Sequence, residues 1–367
     1  MTSAGVSIAF SLYALGVIVV VLLFGGLSDR WGRRPTLLLA ASAMALGLTV
    51  MAVAAGPGML FLGRFLQGVA TGFATGVTAA TLMEEHPAGM RSGTVLNSVS
   101  LSLGSALGPY LAGFIAVRSA YPLAAPYVVI LVLLVIPVTL LLMPTSRRPR
   151  PSGAVSVMRL VRIPPGTTWV FAIAAGGIAI TNVTLAVFGA FGGAIASSVG
   201  WAGEQNAGRL VSTLLVTMAL SQFAARKVSS TTTILLLAGV LAITGWILVW
   251  CAAALGAGYL MFAGIIACGG SAGLALLGAS GLVGEMSPER NRAETYSALL
   301  VVAFSVLGAT ALLSGWVLTW APLIDVIAAC ALLNIAICVP VMQGSVKLAR
   351  TRSHARKTMN AIEGKHP

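Results

Sequence analysis

The sequence predicts an all-α integral membrane protein built from two helical bundles, and three observations predict it. Only 8% of the 367 residues are charged and 58% are hydrophobic, whereas a soluble domain has about 25% charged residues. The chain contains about eleven apolar runs of roughly 20 residues, the length that crosses a hydrocarbon core as a helix. These runs lack the period-2 alternation of barrel strands, so helices are expected to satisfy the backbone. The predicted spans are 5–25, 36–55, 59–83, 94–116, 123–143, 167–190, 207–225, 231–253, 258–283, 295–317 and 321–342.

A polar, basic and proline-containing stretch at 144–166 divides the spans into five before it and six after it. It is the longest interruption inside the chain, and such stretches are typical of boundaries between structural units. We therefore expect an N-terminal transmembrane bundle at 1–143 and a C-terminal transmembrane bundle at 167–342. A basic tail follows at 343–367.

The positive charges predict how the chain is oriented in the membrane. If the connection at 25–35 is cytoplasmic, almost all arginines and lysines between spans fall on that same side, with Arg118 and Arg209 as exceptions. This asymmetry is the positive-inside rule. It places the linker and the C-terminus in the cytoplasm of a multi-pass protein of the inner or plasma membrane. The net charge of +13 therefore indicates contact with anionic lipid and not with nucleic acid.

The connection between the first two spans is a glycine-flanked, arginine-rich turn. Its sequence is Gly25-Gly26-Leu27-Ser28-Asp29-Arg30-Trp31-Gly32-Arg33-Arg34. The glycines allow backbones to approach closely, and Gly32 can supply a positive φ. Asp29 can pair with a neighbouring arginine and so form a charge cluster able to open and close. The alternative is that the arginines only set the topology.

This turn resembles the signature loop of the major facilitator superfamily, whose pattern is G-x-L-a-D-r-x-G-r-k. The matching residues are Gly25, Leu27, Asp29, Arg30, Gly32, Arg33 and Arg34. The resemblance implies a secondary transporter with two bundles and a cytoplasmic latch formed by this loop. In the family the loop joins the second and third helices, so the family's first helix has no counterpart in the sequence. A start codon assigned too late and a real truncation would each explain this.

A weak internal repeat agrees with two related halves. Glu85 ends the third span shortly before a proline, and Glu285 ends the ninth span in the same way. Gly108 and Gly308 fall at similar depths in the spans that follow. Parallel repeats of this kind occur in transporters of the resembled family.

Arg64 lies within the third span, where an arginine costs about 2.5–3.5 kcal/mol on insertion scales. Each surrounding Leu, Phe or Val returns about 0.3–0.6 kcal/mol, so insertion is nearly neutral and favours a place inside a bundle. The sequence Arg64-Phe65-Leu66-Gln67-Gly68 resembles the family's fourth-helix motif, in which the arginine is tied to proton transfer. Arg64, Gln67 and Gly68 are therefore candidate proton-coupling residues. The alternative is that Arg64 snorkels to the interface.

The fourth span carries Gly104, Gly108, Pro109 and Gly113. Pro109 removes a helical donor, so we expect a kink there, and the small residues favour close helix packing. The run resembles the antiporter motif g-x-x-x-G-P-x-x-G-G of the twelve-helix drug:proton branch, and departs from it at Ala112. This resemblance favours export by antiport.

Four polar residues in other spans are candidates for lining a cavity, namely Tyr13, Asn182, Gln222 and Asp325. For the first three the alternative is a helix–helix hydrogen bond, and for Asp325 it is a favourable place at a helix N-terminus. Four cysteines lie in apolar spans without C-x-x-C spacing, so we expect neither a metal site nor a disulfide. No Walker loop or catalytic constellation occurs, so the sequence predicts neither an enzyme nor a cofactor.

The sequence therefore predicts a secondary active transporter working by alternating access. By resemblance, it exports small amphipathic organic compounds in exchange for protons. We expect a monomer whose partners are the substrate, protons and the lipid bilayer. The alternatives are proton-coupled uptake of a small solute and a truncated relative that does not transport.

Overall fold

The computed structural model describes residues 2–85, 87, 90–143, 163–201, 203–225, 228, 230–287 and 292–363. Within them the chain forms twelve helices and no strand. The helices are α1 (Ser3–Phe24), α2 (Leu27–Trp31), α3 (Arg33–Ala52), α4 (Pro57–Glu85), α5 (Met90–Arg118), α6 (Ala125–Leu142), α7 (Thr168–Ser198), α8 (Glu204–Ala225), α9 (Thr231–Leu255), α10 (Gly258–Met286), α11 (Arg292–Val317) and α12 (Leu323–Glu363). Helix α2 has five residues, and each of the others is long.

The eleven long helices correspond to the eleven predicted spans, so the all-α fold class is confirmed. Nine of them, within the described residues, are long and apolar enough to cross a membrane, and α4 and α5 are the two outside that set. Two helices continue past their predicted ends, α7 to Ser198 and α12 to Glu363. The predicted linker at 144–166 falls largely outside the described residues.

Helix α7 is the centre of the second bundle. It packs against α8, α10, α11 and α12, and 18 of its 31 residues are buried. Such a helix is apolar on all sides because it has neighbours on all sides. In the first bundle α4 packs against α1, α3 and α5, while α6 contacts α3 and α5. None of the 18 residues of α6 is buried, so the two bundles differ in how completely their helices are covered.

Small residues set the distances between neighbouring helices. A Cβ placed on Gly68 of α4 would overlap the carbonyl oxygen of Tyr13 in α1, and one placed on Gly16 of α1 would lie 2.5 Å from the carbonyl oxygen of Phe65. In the second bundle, a Cβ on Gly245 of α9 would lie 2.8 Å from the backbone nitrogen of Cys268 in α10. Close backbone approach of this kind is how helices associate in lipid, where burial from water contributes nothing.

The two bundles meet through α1 on α11 and α5 on α8. Ser11 of α1 donates a hydrogen bond of 2.8 Å to the carbonyl oxygen of Gly308 in α11. A Cβ on Gly208 of α8 would lie 2.6 Å from the carbonyl oxygen of Pro109 in α5. Each of these residues belongs to the part of its helix that lies away from the α2 turn. The contacts named here between the bundles therefore lie from the middle of these helices toward the end opposite α2.

One face of α5 is open in this arrangement. A Cβ on Gly104 or Gly108 would meet no atom within 4 Å. In the second bundle α10, α11 and α12 all pack against α7.

We predict that Gly68→Ala lowers the stability of the protein, whereas Gly104→Ala does not. The first substitution forces α1 away from α4, and overpacking of this kind costs about 1–3 kcal/mol. The second adds a methyl group where nothing lies within 4 Å. Thermal unfolding of the two purified variants in the same detergent measures the difference, and equal melting temperatures would contradict the packing described for Gly68.

Candidate functional site

The α2 turn is shaped by Gly32. This residue has a φ of +101°, as the sequence predicts, and its backbone N–H donates 3.0 Å to the carbonyl oxygen of Ser28. Leu27, only 4% exposed, packs with Val20 and Phe73 and so anchors α2 to α1 and α4. Gly25, Asp29 and Arg30 then lie at the end of α1 and in α2 itself, and Arg33 begins α3.

Arg34 contacts the end of α6. Its guanidinium donates to the carbonyl oxygens of Leu141 and Met143. The last carbonyls of a helix have no partner within the helix, and a cation near them also interacts favourably with the helix dipole. Sequence reasoning considered Arg34 as a partner for Asp29 or as a signal of topology, because nothing local shows that α6 ends beside α3. The structure thus links the signature turn to the last helix of the first bundle.

A group of polar and aromatic side chains lies between α1, α4 and α11. The hydroxyl of Tyr13 donates to Oγ1 of Thr71 at 3.3 Å, and its ring meets that of Phe304 edge-on at 6.2 Å between centroids. The guanidinium of Arg64 lies 5.5 Å from the centroid of the Phe10 ring. We call this group the central cluster, and its members are Phe10, Tyr13, Arg64, Gln67, Thr71 and Phe304.

Within the central cluster, Arg64 lies beside Phe10 of α1. It lies seven residues after Pro57, about 10 Å along the helix at 1.5 Å per residue. Its Nη1 donates to Oε1 of Gln67 at 3.4 Å, and Gln67 lies one turn further from the Pro57 end. Gly68 makes this arrangement possible, because its lack of a side chain lets α1 approach α4 closely. Arg64, Gln67, Gly68 and Tyr13, singled out separately in the sequence, are therefore neighbours.

The residues of the antiporter-like motif divide between two faces of α5. Pro109 and the buried Gly113 face Gly208 of α8, so they belong to the contact between the bundles. Gly104 and Gly108 lie on the open face. Pro109 stands inside the helix, which continues to Arg118.

The remaining sequence candidates do not join the central cluster. Asn182 is buried and donates 2.8 Å to the carbonyl oxygen of Ile178 on its own helix. Gln222 lies in the last turn of α8 and Asp325 in the first turn of α12, so both stand at helix ends. At the start of α12 a carboxylate is favoured by the helix dipole.

Sequence reasoning missed several residues that the structure makes prominent. Asn334 of α12 is fully buried and donates 3.3 Å to the carbonyl oxygen of Ile180 in α7. Phe10 and Phe304 are ordinary apolar residues in the sequence, and only their contacts with Arg64 and Tyr13 give them a role. A search for every amide inside an apolar span would have found Asn334.

Glu285 connects three helices at the end of the second bundle that lies on the α2 side. Its carboxylate accepts a hydrogen bond of 3.0 Å from the hydroxyl of Thr231 in α9. It also forms an ion pair of 2.6 Å with Arg352 in the extended part of α12. The basic tail predicted after 342 is therefore helical as far as Glu363, and part of it is held against α10.

The chemistry available at the central cluster is binding and charge compensation. It contains one permanent cation, a phenol, an amide, a hydroxyl and two aromatic rings. Among the described residues no group of three or more His, Cys, Asp or Glu could hold a metal ion. An apolar cavity of about 320 Å³ lies elsewhere, between α7, α11 and α12, with Val183 and Leu333 among its lining residues.

Long apolar helices arranged as two bundles, which meet through α1 with α11 and α5 with α8, define a multi-pass membrane protein. A family model described as "Major Facilitator Superfamily" matches residues 1–312. The chain therefore belongs to the major facilitator superfamily, whose members are transporters and not enzymes.

Curated relatives match part of the chain. The tetracycline resistance protein of class G from Vibrio anguillarum is 35% identical over 119 residues, which is 32% of this chain and 29% of the relative. The class B protein from Escherichia coli is 35% identical over 109 residues, 29% of this chain and 27% of the relative. A triacylglyceride transporter from Mycobacteroides abscessus is 40% identical over 99 residues, 26% of this chain and 19% of the relative. The chain thus spans less than a third of the length of these relatives.

Solved structures show the same fold over most of the chain. The nucleoside transporter NupG superposes with a TM-score of 0.74 at 14% identity, covering 94% of this chain and 91% of that one. The human organic anion transporter MFSD10 superposes with a TM-score of 0.68 at 15% identity, covering 91% and 83%. At these identities the likeness concerns the fold.

We predict that Arg34→Ala speeds hydrogen exchange in the last turn of α6, at 139–143, because the helix loses the cation that binds its terminal carbonyls. Arg30→Ala is the matched control, since Arg30 is an exposed arginine of the same turn. Hydrogen–deuterium exchange with mass spectrometry measures both. Equal exchange in the two variants would contradict the link between the turn and α6.

Proposed function

We propose that this membrane transporter exports small amphipathic organic compounds by alternating access, in exchange for protons. The observation that supports alternating access best is the location of the contacts between the bundles. The contacts of Ser11 with Gly308 and of Gly208 with Pro109 lie from the middle of the helices toward the end away from α2. A pair of bundles in contact at one end can rock about a site between them, and the central cluster lies beside that contact.

We place the α2 turn in the cytoplasm. The distribution of arginine and lysine supports this orientation through the positive-inside rule. The bundle contacts then lie toward the outside, and the described conformation is closed outward. In this proposal the signature turn is the latch that closes the opposite, cytoplasmic end in the other conformation, through Gly25, Asp29, Arg30, Gly32, Arg33 and Arg34.

We assign coupling to Arg64 with Gln67 and Gly68, and the seal between α5 and α8 to the antiporter-like motif. The proximity of Arg64 to both Phe10 and Tyr13 supports the first assignment, because these residues touch the second bundle. Packing of Pro109 and Gly113 against Gly208 supports the second. Motion of one bundle against the other would change the surroundings of both groups.

The names of the relatives support an amphipathic substrate. Tetracycline resistance proteins and a triacylglyceride transporter act on different molecules according to their names. What those two molecules share is a polar group attached to a large apolar body. We carry only this shared property to the present chain, and tetracycline is a convenient first compound to test.

We predict that a cross-link between positions 14 and 308 stops transport. A Cβ on Gly308 would lie 3.1 Å from the Cβ of Ala14, close to the roughly 3.5–4.5 Å of a disulfide. In a background without the four native cysteines, oxidised Ala14→Cys/Gly308→Cys should lose nearly all transport because the bundles can no longer separate at this end.

Each single-cysteine variant is the control for that experiment, and both should transport under oxidising conditions. Dithiothreitol should restore transport to the double variant. If the cross-linked protein transports at the reduced rate, the bundles do not part at the contact between α1 and α11, and alternating access of this form is wrong.

We predict that reconstituted protein accumulates tetracycline in vesicles with an acidic lumen. Outward flow of protons then drives the compound inward by exchange, and the maximum for one proton per compound is about tenfold per pH unit. Accumulation is measured by tetracycline fluorescence, with protein-free vesicles correcting for passive partition.

Vesicles carrying Asp29→Asn should show no accumulation above the protein-free level, because the latch has lost its acidic member. Accumulation only when the bath is acidic would replace export with proton-coupled uptake. No accumulation under either gradient with any amphipathic compound would favour a relative that does not transport.

A further inference from the structure

Arg64 is a cation placed well inside α4. Its contacts with described residues are the Phe10 ring at 5.5 Å and one long hydrogen bond of 3.4 Å to the neutral amide of Gln67. The carboxylates among the described side chains stand at or near helix ends or in the α2 turn, and none of them forms an ion pair with Arg64. The described part of the chain therefore does not neutralise this charge.

An arginine cannot remove its charge by losing a proton, because the guanidinium stays protonated in proteins. Inside a membrane an ionisable residue normally faces a partner or a pathway. Arg64 cannot therefore carry the transported proton itself. It can take part in coupling by holding an anion.

The contacts around the Arg64 guanidinium leave it able to bind an anion. Phe10 lies beside one part of the group, and Gln67 engages a single nitrogen, so further N–H donors remain. These donors form a planar fork that matches the two oxygens of a carboxylate or a similar oxyanion. The rings of Phe10, Tyr13 and Phe304 supply apolar contact for the rest of such a molecule.

Both bundles contribute to this site. The Phe10 ring would lie 3.0 Å from a Cβ on Gly189 of α7, and the Tyr13 ring contacts Phe304 of α11. A compound held here would therefore experience different surroundings as the bundles move. A site made by one bundle alone would not have this property.

We propose that the transported compound carries a carboxylate or a comparable oxyanion, which pairs with Arg64 while its apolar or aromatic body packs against Phe10, Tyr13 and Phe304. This inference rests on the proposed function, since the compound bound is the one carried. It names the substrate class as amphipathic organic anions. A membrane potential that is negative inside favours the exit of such a compound.

Binding of a matched pair of probes tests the proposal directly. Naphthaleneacetate and naphthaleneacetamide have nearly the same shape, and only the first is an anion at neutral pH. Isothermal titration of the full chain in detergent should give about tenfold tighter binding of the anion, as expected for a hydrogen bond strengthened by charge. Equal affinities in the unsubstituted protein would overturn the proposal without any variant.

Variants locate the preference at Arg64. Arg64→Gln should bring the affinity for naphthaleneacetate down to that for the amide and leave the amide unchanged. Arg64→Lys should retain part of the preference, because it keeps the charge and loses the planar fork. If both variants still bind naphthaleneacetate about tenfold more tightly than naphthaleneacetamide, the proposal is overturned.

Arg118→Gln is the matched control. Arg118 also lies over a phenylalanine ring, with its Cζ 3.8 Å from the centroid of Phe114, but it is exposed at the end of α5. Its replacement should leave the preference intact, and loss of the preference there would overturn the assignment to Arg64. Melting temperatures confirm that each variant is folded before titration.

This binding experiment uses no gradient, so its failure is distinguishable from failure of the proposed function. A preference for the anion without proton-driven accumulation would remove proton exchange and leave the anion site. Proton-driven accumulation of tetracycline without a preference for the anionic probe would remove the anion site and leave proton exchange.

Discussion

The close approach of α1 to α4 at Gly68 determines where the residues of the central cluster can lie. A side chain at this position would overlap the carbonyl oxygen of Tyr13, so only glycine allows the two backbones to touch. The contact brings Tyr13 beside Thr71 and Phe10 beside Arg64. In lipid, helices gain little from burying apolar side chains against one another, and such small-residue contacts replace that driving force. The site is thus a consequence of how backbones pack in hydrocarbon.

The two bundles use the same packing chemistry to different extents. The second bundle surrounds α7 and buries most of it, whereas α6 and one face of α5 in the first bundle remain open. The contacts of α1 with α11 and of α5 with α8 nevertheless join the bundles. How completely the helices within a bundle are buried therefore does not decide how the two bundles contact each other.

Three arginines show how one residue type serves different purposes. Arg34 satisfies the terminal carbonyls of α6, and Arg64 stays inside the bundle beside an aromatic ring. On the other bundle, Arg352 holds the extension of α12 through Glu285. A charge pattern in the sequence indicates orientation for Arg34 and Arg352, but the partner of each of the three arginines depends on which helix end, carboxylate or ring is near.

The sequence by itself determined that the protein lies in a lipid bilayer, where its long helices are and that the chain turns at Gly32. These follow from local quantities, because a run of about 20 apolar residues or a glycine at a tight turn needs no distant partner. Only the tertiary structure decided that Arg34 binds α6, that Phe304 faces Tyr13 and that Gly104 lies on an open face. The physical reason is that a helix that is apolar on all sides has no periodic pattern of polar and apolar residues to identify its buried face. Which helix faces contact each other is therefore decided only when the helices pack.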